Sequence, residues 1–298
     1  MATNTHHLIL RAGVTLAAAL AATSIWLTPS RAGAVLAVTS GVTEPPAASF
    51  HRIAEAGPCP LRLPAQLPNR TRIVPILMYH LINVVTASTP AITRRLTVHP
   101  AVFARQMRWL KRHGYHAITQ RQLFDSLMCG RPLPRKPILI TFDDGYRDAL
   151  TNASPVLARL GMPATAYVIS GRVSNGAPIF LGWRQLRRLE ARGVEIGSHT
   201  VSHRALTSLS DGEALTELTR SRRTLERRLG HRVPWLAYPI GAYDARIERL
   251  ARRAGYVLAV TTEGGAGQSA QRPLALRRLR ISDTTGVSGL ARMLAAVT

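Results

Sequence analysis

PILITFDDGYRD, residues Pro137 to Asp148, passes from an oily run to a cluster of charge with nothing between them. The first half, PILITF, is apolar and β-rich, of the sort buried on both faces in a parallel sheet. The second half opens on two adjacent carboxylates, Asp143 and Asp144, in a chain with 39 Lys+Arg and only 16 Asp+Glu. Like charges side by side repel, so this pair calls for a partner elsewhere in the chain.

Outward from this stretch, strands and helices alternate in both directions. Before it come the strand RIVPILMY, a helix from Pro100 to His113 with Phe103, Met107 and Leu110 at helical spacing, the short strand YHAIT, and a helix around Gln120 to Met128. After it, a helix from Arg147 to Leu160 stops at Gly161, and the strand ATAYVI follows. Then come a helix from Trp183 to Arg192, the strand VEIGSH, and a helix from Asp211 to Leu229 closed by Gly230. The strand PWLAYP, a helix from Asp244 to Ala254, the strands YVLAVT and LRRLRIS, and a helix from Val287 to Ala296 complete the chain. About seven such strand-helix units predict a parallel α/β fold, either a barrel or an open doubly wound sheet. No G-x-G-x-x-G follows an early strand, which counts against a dinucleotide-binding fold. In a barrel, catalytic side chains sit at the C-terminal ends of strands, and Asp143 and Asp144 sit at such an end.

The net charge is +23, and only Lys111 and Lys136 are lysines, so the basic residues are nearly all arginine. A GC-rich genome accounts for that composition; attraction to a polyanion is the functional alternative. Residues 1–34 carry Arg11, an Ala/Leu-rich run from Ala12 to Leu27 and the small-x-small pattern Ala32-Gly33-Ala34. They read as an export signal, or as an uncleaved N-terminal anchor. Export argues for a secreted or envelope (periplasmic) location and against a nucleic-acid partner, and no nucleic-acid motif is present. An uncleaved segment is the one expected tie to a membrane. Residues 35–70, rich in Pro, Ala, Thr and Ser, read as a linker, leaving 71–298 as the catalytic domain. Cys59 and Cys129 are equally consistent with a disulfide and with two free thiols.

A partner for the aspartates appears in EIGSHTVSHRAL, where His199 and His203 are four apart after another strand end. On a helical turn that spacing puts both imidazoles on one face. Two histidines and one carboxylate hold a zinc-type ion and leave positions open for water and substrate. One aspartate then binds the metal, whose charge lowers the cost of keeping both ionised, and the other is free to act as a base. DDG alone is a common turn and HxxxH alone a common pair; both together after apolar strands point to a metal site.

TFDDGY at Thr141–Tyr146 and SHTVSH at Ser198–His203 resemble the first two motifs of the polysaccharide deacetylases, the NodB-homology or family-four carbohydrate esterases. The resemblance runs from about Ile73 to Ser282 and extends to ILMYH (Ile76–His80), FARQMRWLKRHGYHAIT (Phe103–Thr119), LAYPIGAYD (Leu236–Asp244) and AGYVLAVTTEGG (Ala254–Gly265). Those segments are most similar to the branch that deacetylates exported poly-N-acetylglucosamine. The family implies a distorted (β/α)-barrel and a divalent metal, zinc first, with cobalt or nickel accepted by the same donor set. It implies Asp144, His199 and His203 as metal ligands and Asp143 as general base in metal-assisted hydrolysis of an N-acetyl group. A backbone N–H near Tyr146 is a second oxyanion donor, and Tyr146, Tyr238 and Pro239 are expected to line the substrate groove.

The chain departs from the wider family twice. LALRRLRIS has no histidine where many members carry the acid of a late L-H motif, and Ala237 stands where many carry an arginine that orients the base. His80, at the end of the first strand, is the spare imidazole for the acid role, with a structural histidine as the alternative. Arg278 or Arg280 is the candidate replacement for the missing arginine. The expected substrate is an N-acetylated polysaccharide, and the expected further partners are anionic cell-envelope polymers. Other readings of the same residues are an O-acetyl esterase, a peptidoglycan or chitin deacetylase, and a non-catalytic cationic envelope-binding protein.

Overall fold

The computed structural model describes residues 59–173 and 179–298. The expected signal (1–34) and the first part of the expected linker lie outside the described residues. The fold is a curled parallel sheet wrapped by helices. Its strands are β1 (Ile76–Tyr79), β2 (His116–Ala117), β3 (Pro137–Phe142), β4 (Ala164–Val168), β5 (Val194–Ser198), β6 (Trp235–Ala237), β7 (Leu258–Val260) and β8 (Leu279–Arg280). They lie in the order β7-β6-β5-β4-β3-β1-β8, all parallel, with β2 pairing the start of β3. The longer helices are α1 (Pro100–Arg112), α2 (Gln120–Cys129), α3 (Ser154–Leu160), α4 (Trp183–Glu190), α5 (Asp211–Leu229), α6 (Ala245–Ala254) and α7 (Val287–Ala295), and a short helix over Ala91–Arg95 precedes them.

The strands are buried on both faces because alternate residues enter different cores. Ile76, Leu139, Tyr167, Trp235, Ala237, Leu258 and Val260 pack together on the concave side. Leu77, Ile138, Ile140, Ala164, Ala166, Val194 and Ile196 pack on the convex side with Phe103, Met107 and Leu110 of α1 and Leu186 and Leu189 of α4. The helices begin and end where local chemistry supports them. Ser210 and Glu213 form a reciprocal capping box at the start of α5, and Thr119 and Gln122 do the same for α2.

The two edges of the sheet are joined by one segment. Leu276 bridges Val260 on one edge, and four residues later Arg280 pairs with Met78 on the other. The expected barrel is therefore closed, in distorted form, by a segment only partly in strand conformation. LRRLRIS supplies two residues of regular strand instead of a full one, because it has to cross between edges.

Three expected elements differ. RIVPILMY is broken: Thr71–Ile73 pairs antiparallel with Gly267–Ser269, and the sheet strand starts at Ile76. Pro75 has no N–H to donate to a ladder, and only its carbonyl takes part, accepting from Leu139 N at 2.9 Å. The Arg147–Leu160 helix begins as a wide turn over Ala149–Ala153 and becomes α-helical only at Ser154, where Pro155 removes one ladder donor. Residues 59–70, read as linker, are packed on the barrel. Leu61, Leu63 and Leu67 lie against its core, Arg232 Nη1 donates to Leu61 O at 2.8 Å, and Cys59 is disulfide-bonded to Cys129 at the end of α2. No helix among the described residues is long and apolar enough to cross a membrane.

Candidate active site

Asp143 and Asp144 follow the last residue of β3, His199 the last of β5 and His80 the last of β1, so all four stand on the rim at the C-terminal ends of the strands. The turn after β3 sets the two aspartates apart. Asp143 continues the extended strand, its N–H donating to Tyr79 O at 3.0 Å. Asp144 adopts a left-handed backbone, φ 72°, and Gly145 follows at φ 77°. Aspartate tolerates that conformation better than most side chains. At Gly145 a side chain would be strained by φ and crowded by Val168 Cγ1, 3.1 Å from where a Cβ would stand.

Asp143 faces inward and meets Arg278. Nη1 donates to Oδ1 at 2.8 Å and Nη2 to Oδ2 at 2.7 Å, a two-pronged pair with both side chains buried. The guanidinium is itself held: Nε donates to Thr261 O at 2.8 Å, Nη1 to Thr141 Oγ1 at 3.2 Å, and the Tyr167 ring lies 5.9 Å from its centre. Burial alone would raise the Asp143 pKa, but the charge and hydrogen bonds of Arg278 outweigh it and hold the carboxyl below the ordinary range. The choice between Arg278 and Arg280 is thereby made. Arg278 is 1 % exposed and touches the aspartate, while Arg280 is exposed on the rim.

Asp144, His199 and His203 converge. Asp144 Oδ1 lies 3.6 Å from His199 Nε2 and 3.4 Å from His203 Nε2. His199 Nδ1 is 2.8 Å from Ala237 O. A carbonyl only accepts, so Nδ1 is the donor here and Nε2 is the nitrogen turned toward the carboxylate. A cation between Nε2 and the carboxylate would take a lone pair from each. Donors about 2.1 Å from a tetrahedral ion stand about 3.4 Å apart, so these spacings fit a zinc-sized ion. Burial and the neighbouring His199 lower the His203 pKa, which keeps its lone pair available.

The backbone that brings the histidines together is not helical. Thr200 (φ 62°) and His203 (φ 65°) are both left-handed, so the pair meets through a strained loop and not through an i, i+4 helix face. Glu217 of α5 holds that loop by accepting from Val201 N and Ser202 N, both at 2.9 Å, and from Ser202 Oγ at 2.7 Å.

Comparison with known proteins places the chain in a family. A family model described as polysaccharide deacetylase matches residues 130–259. A Bacillus subtilis protein named as a polysaccharide deacetylase, YxkH, is 33% identical over 218 residues, 73% of this chain and 74% of that protein. This chain belongs to the polysaccharide deacetylase family. Among solved structures, the Streptococcus pyogenes deacetylase PplD in complex with acetate superposes with a TM-score of 0.69 at 30% identity, covering 77% of this chain and 99% of PplD. A Staphylococcus aureus poly-beta-1,6-N-acetyl-D-glucosamine N-deacetylase is 24% identical over 204 residues, 64% of this chain and 69% of that enzyme.

The remaining candidates of this family member fall in different places. His80 has a buried Nδ1 without a hydrogen-bond partner. Burial lowers its pKa, opposed by the charges of Asp143 and Asp144. Tyr146 is half-buried on the rim, stacked on Phe180 with ring centres 5.2 Å apart. Its hydroxyl hydrogen-bonds Asp144, and its pKa is pushed up to about 12 by burial and by that carboxylate. Tyr238 is fully buried on the helix side of the sheet with Ile247 and Tyr256, stacked on Tyr243, and its hydroxyl has no partner. Pro239 is buried beside it. Neither presents a surface on the rim. Trp183, the first residue of α4, packs on the core beneath Arg228. Two rim residues escaped the sequence reading. Phe180 covers Tyr146, and the Arg172 guanidinium lies 5.2 Å from the Phe180 ring, its charge felt by Tyr146 and His203. Arg172 stands just beyond the end of β4, so the strand-end rule that found Asp143 would have found it.

Proposed function

We propose that this chain is a metal-dependent deacetylase that hydrolyses N-acetyl groups of an N-acetylglucosamine-containing polysaccharide, releases acetate, and works in the cell envelope or outside the cell. The observation that carries the reading is the juxtaposition of a carboxylate held ionised by a buried arginine, Asp143–Arg278, with a three-donor cluster spaced for a cation. The similarity to a poly-N-acetylglucosamine deacetylase supports the choice of polymer.

In this reading Asp144, His199 and His203 hold a divalent ion, zinc first. The bound ion supplies Lewis acidity toward the acetyl carbonyl and the attacking water. Asp143 takes the proton of that water; Arg278 keeps it charged and fixes both of its oxygens. The backbone N–H at Tyr146, on the turn that carries Asp144, donates to the carbonyl oxygen as it gains charge. The C–N bond breaks, and the proton that Asp143 took from the water is passed on to the leaving sugar amine, with His80 as the imidazole that relays it. Burial lowers the His80 pKa, and the charges of Asp143 and Asp144 oppose that by favouring its charged form as the proton passes. Tyr146 and Phe180 offer the aromatic surface for a sugar ring. Residues 59–70 pack on the barrel and are read here with the catalytic domain.

The test is acetate release from a panel of N-acetylated and O-acetylated polymers. The expected result is release from an N-acetylglucosamine polymer that chelation abolishes and added zinc, cobalt or nickel restores. Activity that survives exhaustive chelation removes the metal from the proposal. Release from O-acetyl polymers alone would turn the reading to an esterase.

A further inference from the structure

We propose that the cleft beside His80 is a subsite for a sugar unit bearing an oxyanion, a carboxylate or a phosphate, next to the sugar whose acetyl group is removed. The inference rests on the deacetylase reading above. The cleft has a volume of about 390 Å3, and Ile92, Arg95, Leu96 and Arg280 line it. Its place on the catalytic rim follows from the backbone. Arg280 pairs with Met78, two residues before His80, and Ile281 N donates to Met78 O at 3.0 Å. On the other side Leu81, the residue after His80, donates its N–H to Leu96 O at 3.1 Å. Both walls of the cleft are therefore tied to the residues flanking His80.

Its chemistry is that of an anion receptor. Arg95 and Arg280 are both exposed, and neither has a carboxylate within 4.0 Å among the described residues. Asp283 also lines the cleft, but one of its oxygens is turned back to Thr284 N at 3.0 Å, and it does not pair with either arginine. Ser282 and Thr284 add two hydroxyls, 3.0 Å apart. Ile92, 68% exposed, and Leu96 supply an apolar wall of the kind that takes the C–H face of a sugar. Two guanidiniums bordering one cleft favour an oxyanion within it, and a fork of N–H donors matches carboxylate and phosphate alike. Arg278, which the chemistry uses, takes no part, because its donors are spent on Asp143, Thr141 and Thr261.

The experiment compares three oligosaccharides that share an N-acetylglucosamine unit. In one the neighbouring unit is neutral, in the second it carries a carboxylate, and in the third a phosphate. Acetate release and equilibrium binding are measured at low and high salt for the wild type and for Arg95→Gln/Arg280→Gln. We expect at least one charged oligomer to exceed the neutral one about tenfold in kcat/KM, with the gain in KM and in binding and shrinking in salt. The double variant loses that gain and retains the neutral rate, and whichever charged oligomer responds names the oxyanion. Equal treatment of neutral and charged oligomers by the wild type overturns the subsite. A preference that survives the double substitution, or an equal loss on all three oligomers, does the same. Failure to release acetate from any oligomer overturns the deacetylase reading instead, and the binding arm still decides the subsite.

Discussion

Asp143 and Asp144 are adjacent in the chain yet answer to different neighbours, because the first ends an extended strand and the second turns left-handed. Arg278 separates their chemistry further. We expect Asp143→Asn to lower acetate release by about 10²–10⁴-fold, the range for removal of a general base, with metal content by elemental analysis unchanged. Arg278→Gln leaves a buried carboxylate uncompensated and should lower stability by about 3–5 kcal/mol in denaturant titration. Burial then acts on Asp143 against only the weaker influence of His199 and His80, so its pKa rises and the acidic limb of the rate profile moves to higher pH. Arg278→Lys keeps a charge but not the fork, and falls between the two. The Asp144, His199 and His203 cluster was legible in residue type and spacing. The arginine was not resolved: positions 278 and 280 are two apart in LRRLRIS, so strand alternation puts both on the same face, and only depth in the barrel separates them.

At the scale of elements, the middle of the barrel is filled by polar side chains that the strands carry inward. Tyr167 of β4 lies across β5, where a Cβ on Gly197 would stand 2.4 Å and 2.6 Å from its ring atoms. Gly197→Ala should therefore push the ring toward Arg278, lowering stability by about 1–3 kcal/mol and activity with it, read from Tm and acetate release together. Lower on β5, Glu195 accepts from Gln120 N at 2.6 Å at the start of α2 and borders a cleft of about 420 Å3 at the opposite end of the barrel. Burial raises its pKa to about 7 against hydrogen bonds that act to lower it. A raised carboxyl favours folding while protonated, so this contribution is complete below about pH 4.5 and is lost as pH rises through about 7. Glu195→Gln should flatten the decline of Tm between pH 5 and 8, a term on the order of 2 kcal/mol given the open cleft beside it. HxxxH suggested a helix because i, i+4 is the commonest way to align two side chains. The loop reaches the same end with two left-handed residues, and spacing alone does not distinguish the routes.

For the whole molecule, closure is the decisive event. The segment from Leu276 to Arg280 joins the two sheet edges and in doing so carries Arg278 into the interior, so barrel and base are completed together. The Cys59–Cys129 bridge ties the lead-in segment to α2 across a sequence separation of 70. Replacing both cysteines with serine should lower stability by about 2–4 kcal/mol in thermal or denaturant unfolding, with the rate at the rim unchanged, since the bridge lies away from it.

Read alone, the sequence determined the class of fold and the order of the helices and strands along the chain, and it singled out Asp143, Asp144, His199 and His203, of which the structure draws Asp144, His199 and His203 together. It could do so because periodic burial and donor chemistry are local properties, written in residue type and spacing. The tertiary structure decided that Arg278 contacts Asp143, that Tyr238 turns to the helix side, that Arg172 and Phe180 join the rim, and that residues 59–70 pack on the barrel. Each of these depends on which distant segments meet when the sheet curls and closes, and no stretch of chain holds that information by itself.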